Sequence, residues 1–371
     1  MKKAGIVTIV DYDNYGNRLQ NYAVQEVLRE RNFEVETIIN RTQYLYERNL
    51  KKRILKKIKI YTNKILGKKS EKENIERKAA FMRFTNQNIK ETSYKIDNQN
   101  ITKYQNDLNK FDYIVIGSDQ IWNPEFRRGS DLDFGLLNKE ATKISFSASF
   151  GISEINKKAR DKFTKGINNI DYLSVRESAG QKIIKDLTDR DSKVLVDPTM
   201  MLNVDKWERS MIKPEKLGNR KYILNYFLGE LSKEKKCEIE RIAKENDCDI
   251  INILDKNDIF YSSGPSEFLY LEKNAFLICT DSFHSCIFAI LFDRPFVIFS
   301  RDDKVRSMNS RIETLLLKFG LEDRKYEGSI NEKLLNHNYS NAYIELEKER
   351  KIANKFLDNA LSNNKEGIKW K

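Results

Sequence analysis

The chain reads as an α/β protein built from two parallel-sheet domains that face each other across a cleft. Three observations lead there. The segment Asn274–Ser300, NAFLICTDSFHSCIFAILFDRPFVIFS, runs through an apolar strand (Ala275–Cys279), a polar turn (Thr280-Asp281-Ser282), an apolar helix (Phe283–Phe292), a break at Asp293-Arg294-Pro295 and a second strand (Phe296–Phe299). That is a βαβ unit, which belongs to parallel sheets covered on both faces. The N-terminus opens in the same way, and further short apolar runs along the chain each end in small or polar residues. The length of 371 residues suits about two domains.

Composition narrows the class. Forty per cent hydrophobic and 11% aromatic residues supply a sizeable core. The apolar run Ile6–Val10 behind Lys2 and Lys3 is too short for a signal peptide. No run reaches the roughly 18 apolar residues of a membrane-spanning helix. Cys237, Cys248, Cys279 and Cys286 include no Cys-x-x-Cys pair and read as reduced thiols, which points to the cytoplasm rather than to disulfides or zinc. The net charge of +12 is concentrated in Lys51–Ser70, KKRILKKIKIYTNKILGKKS, with nine Lys/Arg and no acidic residue. Leu50, Ile54, Ile58, Tyr61 and Ile65 repeat at helical spacing and leave a basic face opposite. Such a helix either docks on its own domain or rests on an anionic membrane surface through Lys51–Lys69, making the protein peripheral at the inner face of the membrane. Without a recognised nucleic-acid module, basic charge alone does not indicate nucleic acid.

Taken in order, Ala4–Val10 is a strand, Asp11–Gly16 a turn-rich loop, Asn17–Arg31 a helix and Phe33–Ile39 the second strand. The turn is neither a Gly-x-Gly-x-x-Gly fingerprint nor a P-loop. Gly16, Asn17 and Gln20 either contact an anion or sugar or simply form a tight turn with a capped helix. After a mostly helical stretch, Phe111–Ile116 is a strand that ends in Gly117-Ser118-Asp119-Gln120-Ile121-Trp122-Asn123-Pro124, where Trp122 either stacks on a sugar or plugs the core. Lys143–Phe150, Ile170–Val175 and Lys193–Val196 continue one parallel sheet and end at Gly151, Arg176-Glu177-Ser178 and Asp197-Pro198-Thr199. A fixed Arg176 grips a carboxylate or phosphate bidentately, unless it only pairs with Glu177.

The polar stretch Lys213–Arg220 is the linker. Beyond it the strands are Tyr222–Leu228, Asp249–Leu254, Ala275–Cys279 and Phe296–Phe299. Ser310 and Glu313 fit a capping box that starts a helix ending near Gly320, with Arg301, Arg306 and Arg311 around its N-terminus. Tyr343–Leu361 is a helix with Ile352, Ala353, Phe356, Ala360 and Leu361 on its apolar face. The domains are 1–212, with a basic helical insertion over about 45–90, then 213–340, and a C-terminal helix and tail over 341–371.

Ligands in parallel sheets sit at the carboxyl ends of the strands. There Asp281 or Ser282 caps a helix whose first turn holds His284, one of only two histidines. Free N–H groups at a helix N-terminus attract anions. His284 is therefore either a site residue or the filling of a buried first turn.

Several of these strings resemble, in this order, the polysaccharide pyruvyl transferase family: NYGNRLQNYA, GSDQIWNP, SFG, SVRES, DPT and TDSFHSCIFAILFDRPFVIF. The resemblance covers Gly5 to about Arg324 apart from the basic insertion. It implies two Rossmann-like domains in a GT-B-like arrangement, the N-terminal one on the acceptor side and the C-terminal one on the donor side. It also implies a transferase of cell-surface polysaccharide biosynthesis, moving a pyruvyl group from phosphoenolpyruvate to a sugar or lipid-linked oligosaccharide and forming a ketal. Phosphoenolpyruvate is then a co-substrate, with no other cofactor and no metal. On this reading His284 and Arg176 are catalytic, and Arg176, Ser282, His284, Ser285, Ser310 and Arg311 hold the donor. Gly16, Asn17, Gln20, Ser118, Asp119 and Trp122 face the acceptor. One departure stands out: members that use phosphoenolpyruvate tend to carry arginine two residues before the motif histidine, where this chain has Ser282, so either Arg301, Arg306 or Arg311 supplies that cation or the same scaffold works on another activated group. Two other readings remain: a GT-B glycosyltransferase using a nucleotide sugar, and a non-catalytic module of a membrane-bound polysaccharide assembly complex.

Overall fold

Among the described residues of the computed structural model, which are 1–43, 69–126, 128–301 and 309–362, eleven strands form three sheets, every pairing parallel. The first sheet has the order β3-β2-β1-β4-β5, from β1 (Lys3–Val7), β2 (Glu34–Asn40), β3 (Glu91–Ile96), β4 (Tyr113–Ile116) and β5 (Thr142–Ser145). A two-stranded sheet of β6 (Ser174–Val175) and β7 (Lys193–Val194) continues it through single bridges, Ile144 to Tyr172 and Ala148 to Val175. The second lobe is a four-stranded sheet of order β11-β10-β8-β9, from β8 (Tyr222–Tyr226), β9 (Asp249–Asn252), β10 (Leu277–Thr280) and β11 (Phe296–Ile298). Among the described residues the helices of eight or more residues are α1 (Tyr15–Arg29), α2 (Lys69–Asn88), α3 (Arg160–Asn168), α4 (Ser178–Thr188), α5 (Lys233–Glu245), α6 (Pro265–Asn274), α7 (Phe283–Leu291), α8 (Asn309–Phe319) and α9 (Ser340–Leu361).

Three expectations need correction. The run Lys143–Phe150 is a strand only as far as Ser145, and Ile170–Val175 only over its last two residues. Serine side chains replace the ladder there. Ser145 Oγ donates to the Ser174 carbonyl and accepts from the Ser174 N–H, while Ser174 Oγ donates to the Ser145 carbonyl and accepts from the Ser147 N–H. Ser147 itself turns into the left-handed region, at φ 54°, which breaks regular pairing. The polar edge strand β3, with its half-exposed faces, lies where no strand is expected from the sequence. Finally, α9 buries Leu346, Ala353, Leu357, Ala360 and Leu361, whereas Ile352 is exposed and Phe356 only partly buried.

The lobes are packed together by aromatic and charged contacts. Tyr15 at the start of α1 stacks on Phe268 of α6, with centroids 4.3 Å apart, and donates its hydroxyl to the Ser263 carbonyl. Arg77 of α2 donates to that hydroxyl and to the Tyr261 carbonyl, and pairs with Asp13. Helix α9 starts against the second lobe, where Tyr343 donates to the Ile290 carbonyl, and ends on the first, where the Tyr113 hydroxyl donates to the Leu361 carbonyl. One buried hydrophobic cluster runs through both lobes. No helix among the described residues is long and apolar enough to cross a membrane. The stripe from Leu50 to Ile65, and Arg306, lie outside the described residues.

Candidate active site

The carboxyl ends of β1, β4, β6 and β7 on one side and of β10 on the other meet at the N-terminus of α7. Ser282 occupies the N-cap position there in extended conformation, though its hydroxyl makes no capping bond. The Ser282 N–H donates to Thr280 Oγ1, and the chain turns directly into Phe283 and His284. Asp281, the other expected cap, instead accepts from the Leu228 and Gly229 N–H groups and from Arg301 Nε, at 2.7 to 2.9 Å.

His284 lies flat against Gly16 of α1. A Cβ on Gly16 would fall 2.1 Å from His284 Nδ1 and 2.5 Å from Cγ. The absent side chain is thus what lets a histidine of the second lobe reach the first helix of the first lobe. His284 Nε2 is buried without a hydrogen-bond partner among the described residues, 3.7 Å from Asp197 Oδ2.

Arg176 leaves the end of β6 and reaches the same carboxylate, with Nη1 2.8 Å from Asp197 Oδ2. Its guanidinium carbon lies 4.3 Å from the centroid of Phe283. The Nε and Nη2 atoms are buried and make no hydrogen bond among the described residues. Glu177 Oε2 lies 4.0 Å from Nε, beyond hydrogen-bond reach. The expected contact with Glu177 is thus present as a loose, buried ion pair through Oε2 rather than a surface pair, while Glu177 Oε1 accepts from Ser149 Oγ and the N–H groups of Phe150 and Gly151.

Asp119 ends the β4 loop in the left-handed region at φ 70°, a costly conformation for a residue with a Cβ. Its carboxylate accepts from the Gln120 N–H and from Asn17 Nδ2. Burial pushes its pKa up, but Arg176, His284 and the Asn17 bond outweigh burial and hold it below the usual carboxylate range. Asp197 is treated the same way more strongly. Burial opposes ionisation, and His284, Arg176 and Ser118 more than offset it, so the carboxylate stays ionised far below its ordinary range. Arg311 of α8 is buried on the same ring of Phe283, 6.0 Å from its centroid, and burial and the neighbouring Arg176 charge push its pKa down to about 10.

The structure thus brings together Gly16, Asn17, Ser118, Asp119, Arg176, His284 and Arg311, with Ser282 beside them. It removes others from the cleft. Trp122 is fully buried, donates its indole N–H to the Asp133 carbonyl and packs on Phe134 and Phe150, so it is a core plug and not an acceptor platform. Ser285 points away, its hydroxyl donating 2.6 Å to Glu272 Oε1 of α6. Gln20 is fully buried and spends its amide N–H on Thr8 Oγ1 and the Asn17 carbonyl, while its Oε1 has no hydrogen-bond partner among the described residues. Ser310 is the second residue of α8 rather than its cap. Asp197 and Glu177, which the sequence does not single out as site residues, are buried beside Arg176 in the same cluster. The one sequence signal for Asp197 was its place before Pro198-Thr199 at a strand end. Among the described residues no group of three or more His, Cys, Asp or Glu could hold a metal ion.

Solved structures with the same fold include a UDP-N-acetylglucosamine 2-epimerase from Listeria monocytogenes (TM-score 0.53, 12% identity, covering 99% of this chain and 98% of that one). Another epimerase, from Rickettsia bellii, gives TM-score 0.52 at 12% identity with all of both chains covered. A glycosyltransferase from Rickettsia africae gives 0.51 at 10% identity, covering 98% of this chain and 99% of that one. At such identities the likeness shows the GT-B-like fold alone. No curated protein matches the sequence. The model of the polysaccharide pyruvyl transferase family matches residues 14–303, which takes in the ends of β4, β6, β7 and β10 at the cleft, and the chain, a transferase, belongs to that family.

Proposed function

We propose that this transferase moves a pyruvyl group from phosphoenolpyruvate onto two hydroxyls of a sugar, free or lipid-linked, in the synthesis of a cell-surface polysaccharide. The observation that carries the reading is the set of nitrogens without a hydrogen bond among the described residues at one buried point: Nε and Nη2 of Arg176 and Nε2 of His284, beside the N-terminus of α7. Buried donors of this kind call for an anion. The Nε–Nη2 edge of a guanidinium matches the two oxygens of a carboxylate or phosphate, and the helix N-terminus adds positive potential.

The chemistry assigns the parts. A proton goes to the donor methylene carbon, leaving an oxocarbenium-like centre that a sugar hydroxyl attacks. Phosphate departs with the C–O electron pair, and a second hydroxyl closes the ketal. Arg176 and Arg311 stabilise the donor's negative charge, which is worth most where water is excluded. His284 is the proton-transfer group, within reach of both the anion and the acceptor side. Asp119, kept ionised, is the base nearest Gly16 and Asn17, where the acceptor would lie. The position at Ser282 lacks a cation of its own. Arg301 is held by Asp281, and Arg311 stands beside Arg176.

Isothermal titration with phosphoenolpyruvate tests this. Wild type is expected to bind, and Arg176→Ala and His284→Ala to bind at least about tenfold more weakly. Binding of a UDP-sugar in place of phosphoenolpyruvate would replace the reading with glycosyl transfer.

We further propose that the protein works at the inner face of the membrane, with Lys51–Lys69 on anionic lipid. Nine Lys/Arg in that stretch, at about 1 kcal/mol each near the surface, suffice for salt-sensitive binding. Wild type is expected to sediment with phosphatidylglycerol vesicles and not with neutral ones, and a charge-neutralised segment to stay in solution. A wild type that ignores anionic vesicles ends the idea.

A further inference from the structure

Asp197 has no part in the scheme above, yet the cleft is built on it. It ends the β7 segment, is fully buried, and carries four hydrogen bonds. Oδ1 accepts from the Thr199 N–H at 3.0 Å and from Thr199 Oγ1 at 2.8 Å. Oδ2 accepts from Ser118 Oγ at 2.6 Å and from Arg176 Nη1 at 2.8 Å. A carboxylate has about four lone-pair sites, and here all are used. Asp197 therefore has nothing left for a substrate, and its work must pass through its neighbours.

Two of those neighbours come from different lobes. Arg176 hydrogen-bonds through Nη1 alone, so its Nε, 4.0 Å from Glu177 Oε2, and its Nη2 remain as a side-on fork without a hydrogen bond among the described residues. Had the carboxylate engaged that edge, no bidentate face would remain for a ligand. His284 Nε2 stands 3.7 Å from the same Oδ2, too far for a direct hydrogen bond but near enough for a strong charge interaction in a buried site.

We propose that Asp197 is the positioning residue of the transfer reaction: it fixes Arg176 so that the Nε–Nη2 edge faces the donor anion, and it gives His284 a fixed negative charge against which Nε2 is oriented. Thr199 and Ser118 keep the carboxylate from turning. The inference rests on the phosphoenolpyruvate reading for its kinetic arm, but the anion fork can be tested without it.

The test uses the full chain as wild type, Asp197→Asn and Thr199→Val. In titrations with inorganic phosphate, wild type is expected to bind, Asp197→Asn about tenfold more weakly, and Thr199→Val in between. With phosphoenolpyruvate and a sugar acceptor, Asp197→Asn is expected to raise KM about tenfold and to lower kcat about a hundredfold, because both reacting partners lose alignment. A purely structural role would lower the amount of active protein, reducing apparent kcat with KM and phosphate affinity unchanged. That pattern, or a wild type that binds no phosphate, overturns the proposal. If Asp197→Asn does not fold, Thr199→Val decides: weaker phosphate binding supports the proposal and unchanged binding overturns it. Phosphate binding that weakens as expected, in a protein that never turns over phosphoenolpyruvate, keeps the role of Asp197 and discards the donor.

Discussion

Gly16→Ala is expected to cost about a hundredfold in kcat/KM while the protein stays folded. Gly16 lies in the first turn of α1, not in a left-handed conformation, and alanine is the better helix former by about 0.8–1 kcal/mol. The damage comes from one atom. Its Cβ would stand 2.1, 2.5 and 2.7 Å from Nδ1, Cγ and Cε1 of His284, well inside any tolerable contact. Helix α1 cannot yield, because Tyr15 is held by Ser263 and Phe268 and Asn17 by the Ile9 carbonyl and Asp119. The imidazole must therefore swing out of line with Asp197. Steady-state kinetics and a thermal melt on the same preparation check this. Full activity in a folded variant would mean that His284 is not needed where the structure puts it.

Glu272→Gln is expected to remove a pH dependence of stability. Glu272 is fully buried, with Ser285 Oγ on Oε1 and no hydrogen-bond partner for Oε2 among the described residues. Burial holds its carboxyl well above the usual range, and the Ser285 bond only partly opposes this. The sign follows from linkage. Below the ordinary glutamate pKa both folded and unfolded chains keep the proton, and the contribution to stability is full. As pH rises, the unfolded chain ionises first, and stability falls by about 1.4 kcal/mol per pH unit until the folded pKa is passed. Glutamine carries no such slope, although its buried amide costs about 1–3 kcal/mol if unpaired. Urea melts of wild type and variant should therefore diverge from pH 5 upward, with the variant gaining. Parallel curves across pH 5–9 would show that Glu272 is ionised in the folded protein.

Periodicity carried most of the architecture into the sequence. The βαβ unit from Ala275 to Phe299 was readable because its apolar runs have strand and helix lengths and sharp polar breaks. Strand ends were readable too, and the fold brings His284, Arg176, Asp119 and Asn17 together there. What could not be read is direction. Trp122 and Ser285 sit in motifs at the cleft, but α7 is buried on every side, so the residue after His284 faces Glu272. Likewise Trp122 turns under the sheet ends toward Phe134 and Phe150. Asp197 was passed over for the opposite reason. Its partners Ser118, Arg176 and His284 are 79, 21 and 87 residues away along the chain, and only the fold makes them neighbours.

Helix α9 has a consequence for how the molecule comes into being. From its middle to its last turn it covers the flank of the first lobe: Arg350 donates to the Met200 and Leu202 carbonyls, Arg31 pairs with Asp358, and the Tyr113 hydroxyl reaches the Leu361 carbonyl across 248 residues of sequence. A chain emerging from the ribosome N-terminus first would hold β1 to β5 long before the helix that covers them exists. Sequence separation of this order slows folding, because loop-closure entropy comes due before the contact forms. Part of the apolar flank of the first sheet must therefore stay bare until α9 is made. Its completion is governed by a helix distant from it in the sequence.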